Sequence, residues 1–328
     1  MTKIRFAVPS KGRMETETNE FLAECGVKIV RKNRNYIAEV KDMSQVQIVF
    51  QRQEDIVQGV QQGSFAFGIA GFDLVSEVRA QIDSNDVLVI QNGLGFGKCT
   101  LEVAVPETWD LSMVEELKGM DSSPLRVASK FPNLTSSFLG DQNLNFSLVK
   151  SAGTLEAAPA LGYADIIVDL VSSGQTLRDN RLKILAGGRI LESEAVLVAN
   201  RSALKEPATL AVAKRILELI EGTLRAKKFV SVFVNMRGSS DQEVAQKLFQ
   251  SKGLEGLQGP TISKVFSRDT KNGWYAVHII VERVRLNEAI TALREVGGSG
   301  VVVSPTLYIF EEEPESYKTL LEKISVIK

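Results

Sequence analysis

Short apolar runs that read as β-strands alternate with helix-periodic segments through residues 1–224, and this alternation constrains the fold more than any other feature. Ile4–Val8 runs into a polar turn, Pro9-Ser10-Lys11-Gly12-Arg13, and the helix-like stretch after it reaches about Glu24, where Cys25-Gly26 supplies a stop. Val46–Phe50 and Phe65–Ala70 read as strands. Asp55, Ile56, Val57 and Val60 suit a short helix closed by Gly63, and Asp73–Ala80 suits another. After Pro106 the pattern resumes, with strands at Leu125–Ser129, Phe146–Val149, Ile166–Asp169 and Ala195–Ala199. From Pro207 to Leu224, Leu210, Ala213, Ile216, Leu217 and Ile220 recur at helical spacing, with Pro207 suited to the first turn and Gly222 to the last. Strands alternating with helices predict α/β units around a mostly parallel sheet.

Residues 228–310 differ in kind. Phe229–Val234 alternates as a strand, and Ser240-Asp241-Gln242-Glu243 has the form of a capping box that opens a helix through Val244, Leu248 and Phe249. Thr261–Ser267 and Trp274–Glu282 read as adjacent strands turned at Asn272-Gly273. Leu286, Ala289, Ile290 and Leu293 form a second helix face that stops at Gly297-Gly298, and Val301–Ser304 is a last strand. The order β-α-β-β-α-β is the ferredoxin-like one, common in small-ligand sensor modules. Glu311–Glu313 with Glu315 reads as a solvated acidic surface before a final short helix.

At 328 residues the chain exceeds a single typical core and suits two or three domains. Its 39 basic and 40 acidic residues leave a formal charge of −1, without the basic excess of a nucleic-acid binder. No apolar stretch is long enough to span a bilayer. The apolar part of Met1–Pro9 is too short and interrupted for a signal peptide, and the segment is no Ser/Arg-rich transit peptide. Two cysteines, Cys25 and Cys99, make neither a disulfide framework nor a cysteine-rich metal site. The single histidine, His278, would have to serve any Ser-His-Asp triad or zinc site. It lies in a strand-like run with no nucleophile motif beside it and reads as structural, so hydrolase and zinc-enzyme classes fall.

The most informative segment is Ala164–Leu177, an apolar strand ending in Asp169, then a small, hydroxyl-rich loop and a helix start. Such a loop offers backbone N–H groups and hydroxyls to a phosphate, and a carboxylate before it can accept hydrogen bonds from ribose hydroxyls. The pattern describes a pocket for a ribose 5-phosphate, and equally an ordinary strand-to-helix turn with a Ser/Thr cap.

Asp169 through Leu177 resembles the phosphoribosyl-pyrophosphate (PRPP) loop of the ATP phosphoribosyltransferases. Other stretches resemble that family in the same order along the chain: Lys11-Gly12-Arg13, Arg52 to Ile56, Gly68-Ile69-Ala70-Gly71-Phe72-Asp73, Leu94-Gly95-Phe96-Gly97-Lys98-Cys99, and Gly153-Thr154-Leu155-Glu156-Ala157-Ala158-Pro159. Asn235-Met236-Arg237-Gly238 and Leu257–Ile262 look like plant-type long forms. Gln53 departs from a usual proline, Ala70 from a usual threonine, and Ser172-Ser173 and Gln175 vary within the loop.

The resemblance implies two periplasmic-binding-protein-like α/β lobes plus a C-terminal ferredoxin-like (ACT-like) domain. The expected division is 1–104 with 195–225 as the ATP-side lobe, 105–194 as the PRPP-side lobe, and 226–328 as a regulatory domain. The implied reaction joins N1 of ATP to C1 of the PRPP ribose and expels pyrophosphate, with Mg²⁺ neutralising the leaving group. Ser172, Ser173, Gly174, Gln175 and Thr176 would cradle the 5-phosphate, Asp169 would bind ribose hydroxyls with Glu156 supporting, and Lys11 and Arg13 would hold phosphate or pyrophosphate oxygens. Arg52, Asp73 and Gly95, Gly97, Lys98 and Cys99 would line the ATP side. On their own, Lys11 and Arg13 read as a solvated basic turn, Asp73 as a helix N-cap, and Cys99 as a small buried hydrophobe. The resemblance further implies feedback inhibition by histidine, with Asn235, Leu257, Thr261 and Ser299 as candidate contacts, and a homo-oligomer shifting between dimer and hexamer. It implies a cytoplasmic protein, or one of the plastid stroma if a transit peptide has been removed, without nucleic-acid or membrane partners.

Rival readings are a cytoplasmic small-ligand-binding protein of the same bilobal fold, a catalytically inactive amino-acid-sensing partner subunit, and a phosphoribosyltransferase with another acceptor. Asp169 followed by a phosphate loop argues against the first, and Lys11, Arg13, Glu156, Asp169 and Thr176 together argue against the second.

Overall fold

Ile4–Pro9 (β1) is buried from Phe6 onward, as a strand covered on both faces must be. The structure is a computed structural model that describes residues 3–32, 35–81, 86–120, 123–150, 154–251, 254, 256–266 and 273–325; Gly153, Ser267 and Asn272 of the sequence analysis lie outside these. After β1 come α1 (Gly12–Glu24), β2 (Ile29–Val30), β3 (Ile37–Val40), β4 (Val46–Gln51), α2 (Gln53–Gln61), β5 (Phe67–Gly71), α3 (Phe72–Gln81) and β6 (Val87–Gln91). The chain then crosses to a second sheet through β7 (Cys99–Pro106), β8 (Leu125–Ser129), α4 (Pro132–Asp141), β9 (Phe146–Lys150), β10 (Ile166–Val171), α5 (Gln175–Asp179) and β11 (Leu182–Ser193). It returns as β12 (Ala195–Asn200) and continues into α6 (Pro207–Ala226).

The two sheets repeat one plan. The first has the order β2-β3-β4-β1-β5-β12-β6 and the second β11-β7-β10-β8-β9. In each, three parallel strands (β4-β1-β5, and β9-β8-β10) are followed by an antiparallel strand that has just arrived from the other sheet: β12 in the first, β7 in the second. The result is two α/β lobes joined by two crossings. Both sheets are mixed rather than mostly parallel, because the edge strands β2 and β3 and the crossing strands β6, β7, β11 and β12 pair antiparallel. Close packing sets the positions of the helices: a Cβ on Gly68 would stand 2.6 Å from Ile56 Cγ2, so α2 lies nearer β5 than an alanine would allow.

Two compact units result, one running to Leu217 and taking back α9 (Glu315–Ser325), the other Glu218–Pro314. The second unit contains β13 (Phe229–Arg237), α7 (Asp241–Phe249), β14 (Thr261–Val265), β15 (Trp274–Glu282), α8 (Leu286–Glu295) and β16 (Ser299–Pro305), with strand order β14-β15-β13-β16 and every pairing antiparallel. Val230, Val232, Val234 and Met236 alternate inward with Tyr275, Val277, Ile279 and Val281. Ser240 Oγ caps α7 by accepting Glu243 N–H at 3.1 Å. The return arm of the box differs from the expected form, since Glu243 reaches the N–H and hydroxyl of Ser239 rather than Ser240. The Lys247 ammonium and these Ser239 bonds hold the Glu243 carboxyl down to about 2. Gly222 is not in the last turn of α6: a Cβ there would meet the Phe310 ring at 2.8 Å, so the glycine makes room for an aromatic side chain. Among the described residues no helix is long and apolar enough to cross a membrane.

Candidate active site

Parallel strands that end together put their following loops together, and ligands of open α/β sheets bind at those carboxyl ends. Pro9 pairs with Gln51, and Ser10 N–H donates to Gln51 O at 2.9 Å, so the Lys11–Arg13 turn and Arg52 leave the same edge. Gly12 takes φ +70°, which explains a glycine between the two basic residues. Gln53, standing where the resemblance expects proline, accepts Gly71 N–H at 3.2 Å and ties the start of α2 to the end of β5. Arg13 is exposed and paired with Glu17 at 2.8 Å. In the second lobe the same edge carries Ser129, Lys130 and the end of β10.

The crossing between the lobes is a wall of the site. Cys99 pairs with Ser193 where β7 and β11 begin and end. Leu94 N–H donates to Ala195 O at 3.1 Å and Ala195 N–H to Phe96 O at 3.0 Å, so residues 94–96 follow the return strand. The Phe96 ring packs on Phe21 of α1 at 5.4 Å, and a Cβ on Gly97 (φ +68°) would stand 2.7 Å from Met14 Sδ.

Asp73 is 5% exposed. Its Oδ1 accepts the Ser193 hydroxyl at 2.5 Å, and its backbone N–H donates to Ser193 Oγ at 2.9 Å. Burial raises its carboxyl above the ordinary value; the Ser193 and backbone hydrogen bonds pull it back and Glu54 adds to the rise. Burial, then the Asp73 charge, raises the Cys99 thiol, so Cys99 lacks the thiolate character of a nucleophile.

Two cavities open along this wall. One, of about 870 Å³, is faced by Gln53, Glu54, Asp73 and Leu74 from the first lobe and by Ser129, Lys130, Phe131 and Asp169 from the second. The other, of about 610 Å³, is faced by Lys98 and Cys99, by Ser172, Ser173 and Gly174, and by Arg178, Arg189 and Ser193. Residues expected on opposite substrate sides are thus mixed: Asp73 shares a cavity with Asp169, and Lys98 and Cys99 share one with the loop. Asp169 does not end its strand, because β10 continues through Leu170 and Val171, paired with Leu101 and Thr100. The carboxylate and the loop therefore face different cavities. Lys11, Arg13, Arg52, Gly95, Gly97, Glu156, Gln175 and Thr176 line neither of the two.

Asp169 is half-buried, and its Oδ1 accepts Leu170 N–H at 2.8 Å. Burial raises its carboxyl; the Leu170 N–H lowers it, the Glu156 charge raises it and Lys130 lowers it. Gly174 enters α5 at φ +70° with Arg178 over it, and Arg178 donates to Ser173 O at 3.1 Å. Sequence reasoning passed over Lys130, Arg178, Arg189, Glu102 and Ser193. Glu102 alone had a signal, a carboxylate inside the apolar strand Leu101–Val105; it is 3% exposed and pairs with Arg189 at 2.8 Å. Among the described residues no three His, Cys, Asp or Glu converge as a metal cage. Asp169, with the Glu156 charge near it, is the carboxylate here that could hold a hard cation.

In the second unit, Leu257 and Thr261 line a cavity of about 270 Å³ with His278. Asn235 and Ser299 pair across β13 and β16 and are not among its lining residues. His278 stacks on Phe233 at 4.3 Å and its Nε2 lies 2.7 Å from Ser231 Oγ, a structural setting within the sheet.

Fold and site together define a bilobal α/β protein whose cleft, with carboxylates, cationic side chains and a small-residue turn, suits a phosphorylated small molecule. The family model described as ATP phosphoribosyltransferase (HisG) matches residues 52–222, and the HisG C-terminal domain matches residues 226–306. The chain is 40% identical over 337 residues to ATP phosphoribosyltransferase 2, chloroplastic, of Arabidopsis thaliana, covering 99% of this chain and 81% of that one. It is 32% identical to the ATP phosphoribosyltransferase of Methanocaldococcus jannaschii, over 92% and 98% of the two chains. A solved ATP phosphoribosyl transferase (HisG:HisZ) complex from Thermotoga maritima is similar at a TM-score of 0.52 and 25% identity, over 66% of this chain and 98% of that one. The chain belongs to the ATP phosphoribosyltransferase family, and it transfers the phosphoribosyl group of PRPP to N1 of ATP, releasing pyrophosphate, in histidine biosynthesis.

Proposed function

We propose that transfer takes place in the interlobe cleft, with PRPP reaching from one cavity to the other: Asp169, supported by Glu156, holds its ribose in the 870 Å³ cavity, and the Ser172–Thr176 turn holds its 5-phosphate from the 610 Å³ one. The observation that carries this reading is the facing of Asp169 and Asp73, one from each lobe, in one 870 Å³ cavity. The turn's hydroxyls and backbone N–H groups take the 5-phosphate, and Asp169 accepts the ribose hydroxyls. Lys11 and Arg13 meet pyrophosphate oxygens, and Arg52, Asp73 and Gly95–Cys99 form the ATP side. The carboxylates of Asp169 and Glu156 oppose the positive charge that develops on the sugar as the bond from C1 to pyrophosphate lengthens and the bond to N1 forms. Asp169 and Glu156 are the protein carboxylates that would hold a Mg²⁺, which would supply charge neutralisation to the departing pyrophosphate.

The second unit serves as the histidine sensor in this reading, with Leu257 and Thr261 at the cavity and Asn235 and Ser299 as further contacts. Inhibition would accompany a shift of a homo-oligomer between dimer and hexamer. The protein acts in the cytoplasm, or in the plastid stroma like the relatives described as chloroplastic. The test is ultraviolet detection of phosphoribosyl-ATP with ATP, PRPP, Mg²⁺ and pyrophosphatase, repeated with histidine. Asp169→Ala should cut turnover severely with an unchanged melting temperature, and undiminished turnover would remove Asp169 from the site. Product formation that histidine leaves untouched would remove the sensor role.

A further inference from the structure

Helix α4 begins without a cap of its own. Phe131 stands at its N-cap and supplies no side-chain acceptor, and Pro132 has no N–H to satisfy. The next two donors are met from the other lobe: Asn133 N–H donates to Glu77 Oε1 at 2.8 Å and Leu134 N–H to Glu77 Oε2 at 3.0 Å. The Asn133 side-chain amide adds a third bond to Oε1 at 2.8 Å. Glu77 lies on α3 and is 9% exposed. A carboxylate at a helix N-terminus is favourable for charge and hydrogen bonding alike, and here that pairing joins two lobes.

The same two helices frame the 870 Å³ cavity: α3 contributes Asp73 and Leu74, and the start of α4 contributes Pro132, preceded by Lys130 and Phe131. Each helix is anchored in its own lobe. Ser129 Oγ accepts Phe131 N–H and the Thr135 hydroxyl, both at 3.0 Å, which fixes the start of α4 to β8. Leu74 packs against the cores of both lobes.

We infer that Glu77 is a positioning residue for the transfer reaction: by capping α4 across the cleft it sets the angle at which the lobes hold Asp73 and Asp169 around the substrates. The residue touches no reacting atom. It acts by having the cleft assembled before substrate arrives, so its removal makes binding order the lobes and falls on KM rather than kcat. The inference rests on the placement of the substrates in this cavity.

The test uses the full chain. Glu77→Ala should raise KM for PRPP about tenfold, the equivalent of losing charge-assisted hydrogen bonds, with kcat within about twofold of wild type. Amide exchange at Asn133 and Leu134 should quicken in the same variant. Glu77→Gln, which keeps an acceptor for the α4 amides, should restore KM to within about threefold, and Asn133→Ala should give a rise smaller than that of Glu77→Ala. Quickened exchange with unchanged KM would make Glu77 a helix cap only and overturn the inference. Equal losses in kcat and KM for Ala and Gln alike would overturn it too. If Glu77→Ala does not fold, the Gln and Asn133 variants decide by the same two readouts. Failure of the substrate placement would look different, since Asp169→Ala would then leave turnover intact.

Discussion

Ser193 donates its hydroxyl to Asp73 Oδ1 at 2.5 Å and accepts the Asp73 backbone N–H at 2.9 Å, joining the end of β11 to the start of α3 across 120 residues of sequence. Ser193→Ala leaves that buried carboxylate without its hydroxyl, at a cost of about 1–3 kcal/mol that urea unfolding would measure. The cost should depend on pH. A carboxyl raised by burial is protonated in the folded chain at pH values where the unfolded chain ionises it, so folding takes up a proton. Stability therefore falls as pH climbs from the unfolded value through the folded one, and Ser193→Ala should lose more near neutrality than below the ordinary carboxylate range.

Gly71 is small because Asp73 folds back over it: a Cβ at that position would stand 2.3 Å from Asp73 Oδ1. Gly71→Ala should drive the carboxylate off Ser193, destabilise the chain by about 1–3 kcal/mol, and lower turnover in parallel with Asp73→Ala. Wild-type kinetics in Gly71→Ala would show that Asp73 can leave Ser193 without consequence.

The acid limb of kcat/KM should report Asp169. Burial first, then the Glu156 charge, raises its carboxyl, so protonation and loss of ribose contacts begin at a higher pH than for an ordinary aspartate. Glu156→Gln removes a like charge and should move that limb to lower pH. An unmoved limb would assign it to another group.

Much of the fold was legible because the apolar periods are clean. The β-α-β-β-α-β order of the second unit follows from alternation at Phe229–Val234 and Trp274–Glu282 and from the Ser240 cap, although the first strand runs on to Arg237. The site was legible only where a local pattern carried it. Asp169 and the loop after it stood out, but β10 runs on to Val171, because its pairing to β7 does not depend on where the apolar run stops. Ser193 and Glu77 had no signal at all, since each acts on a partner far along the chain that only the crossing of the lobes brings near. Gly222 looked like a helix stop and instead accommodates Phe310, another long-range contact.

Arg189 is the partner of Glu102 in the 610 Å³ cavity, at 2.8 Å. Arg189→Ala leaves a buried carboxylate uncompensated and should lower the melting temperature at neutral pH, while Arg189→Ala with Glu102→Gln should recover most of it. Additive losses in the double variant would mean that the two side chains act independently.

The placement of PRPP is tested most directly by amide exchange across residues 164–177, followed while PRPP and Mg²⁺ are titrated onto the full chain. Exchange from Ser172 to Thr176 should slow, saturate with PRPP and show no slowing in Asp169→Ala. Protection confined to other segments, with this turn exchanging as in the free protein, would contradict it.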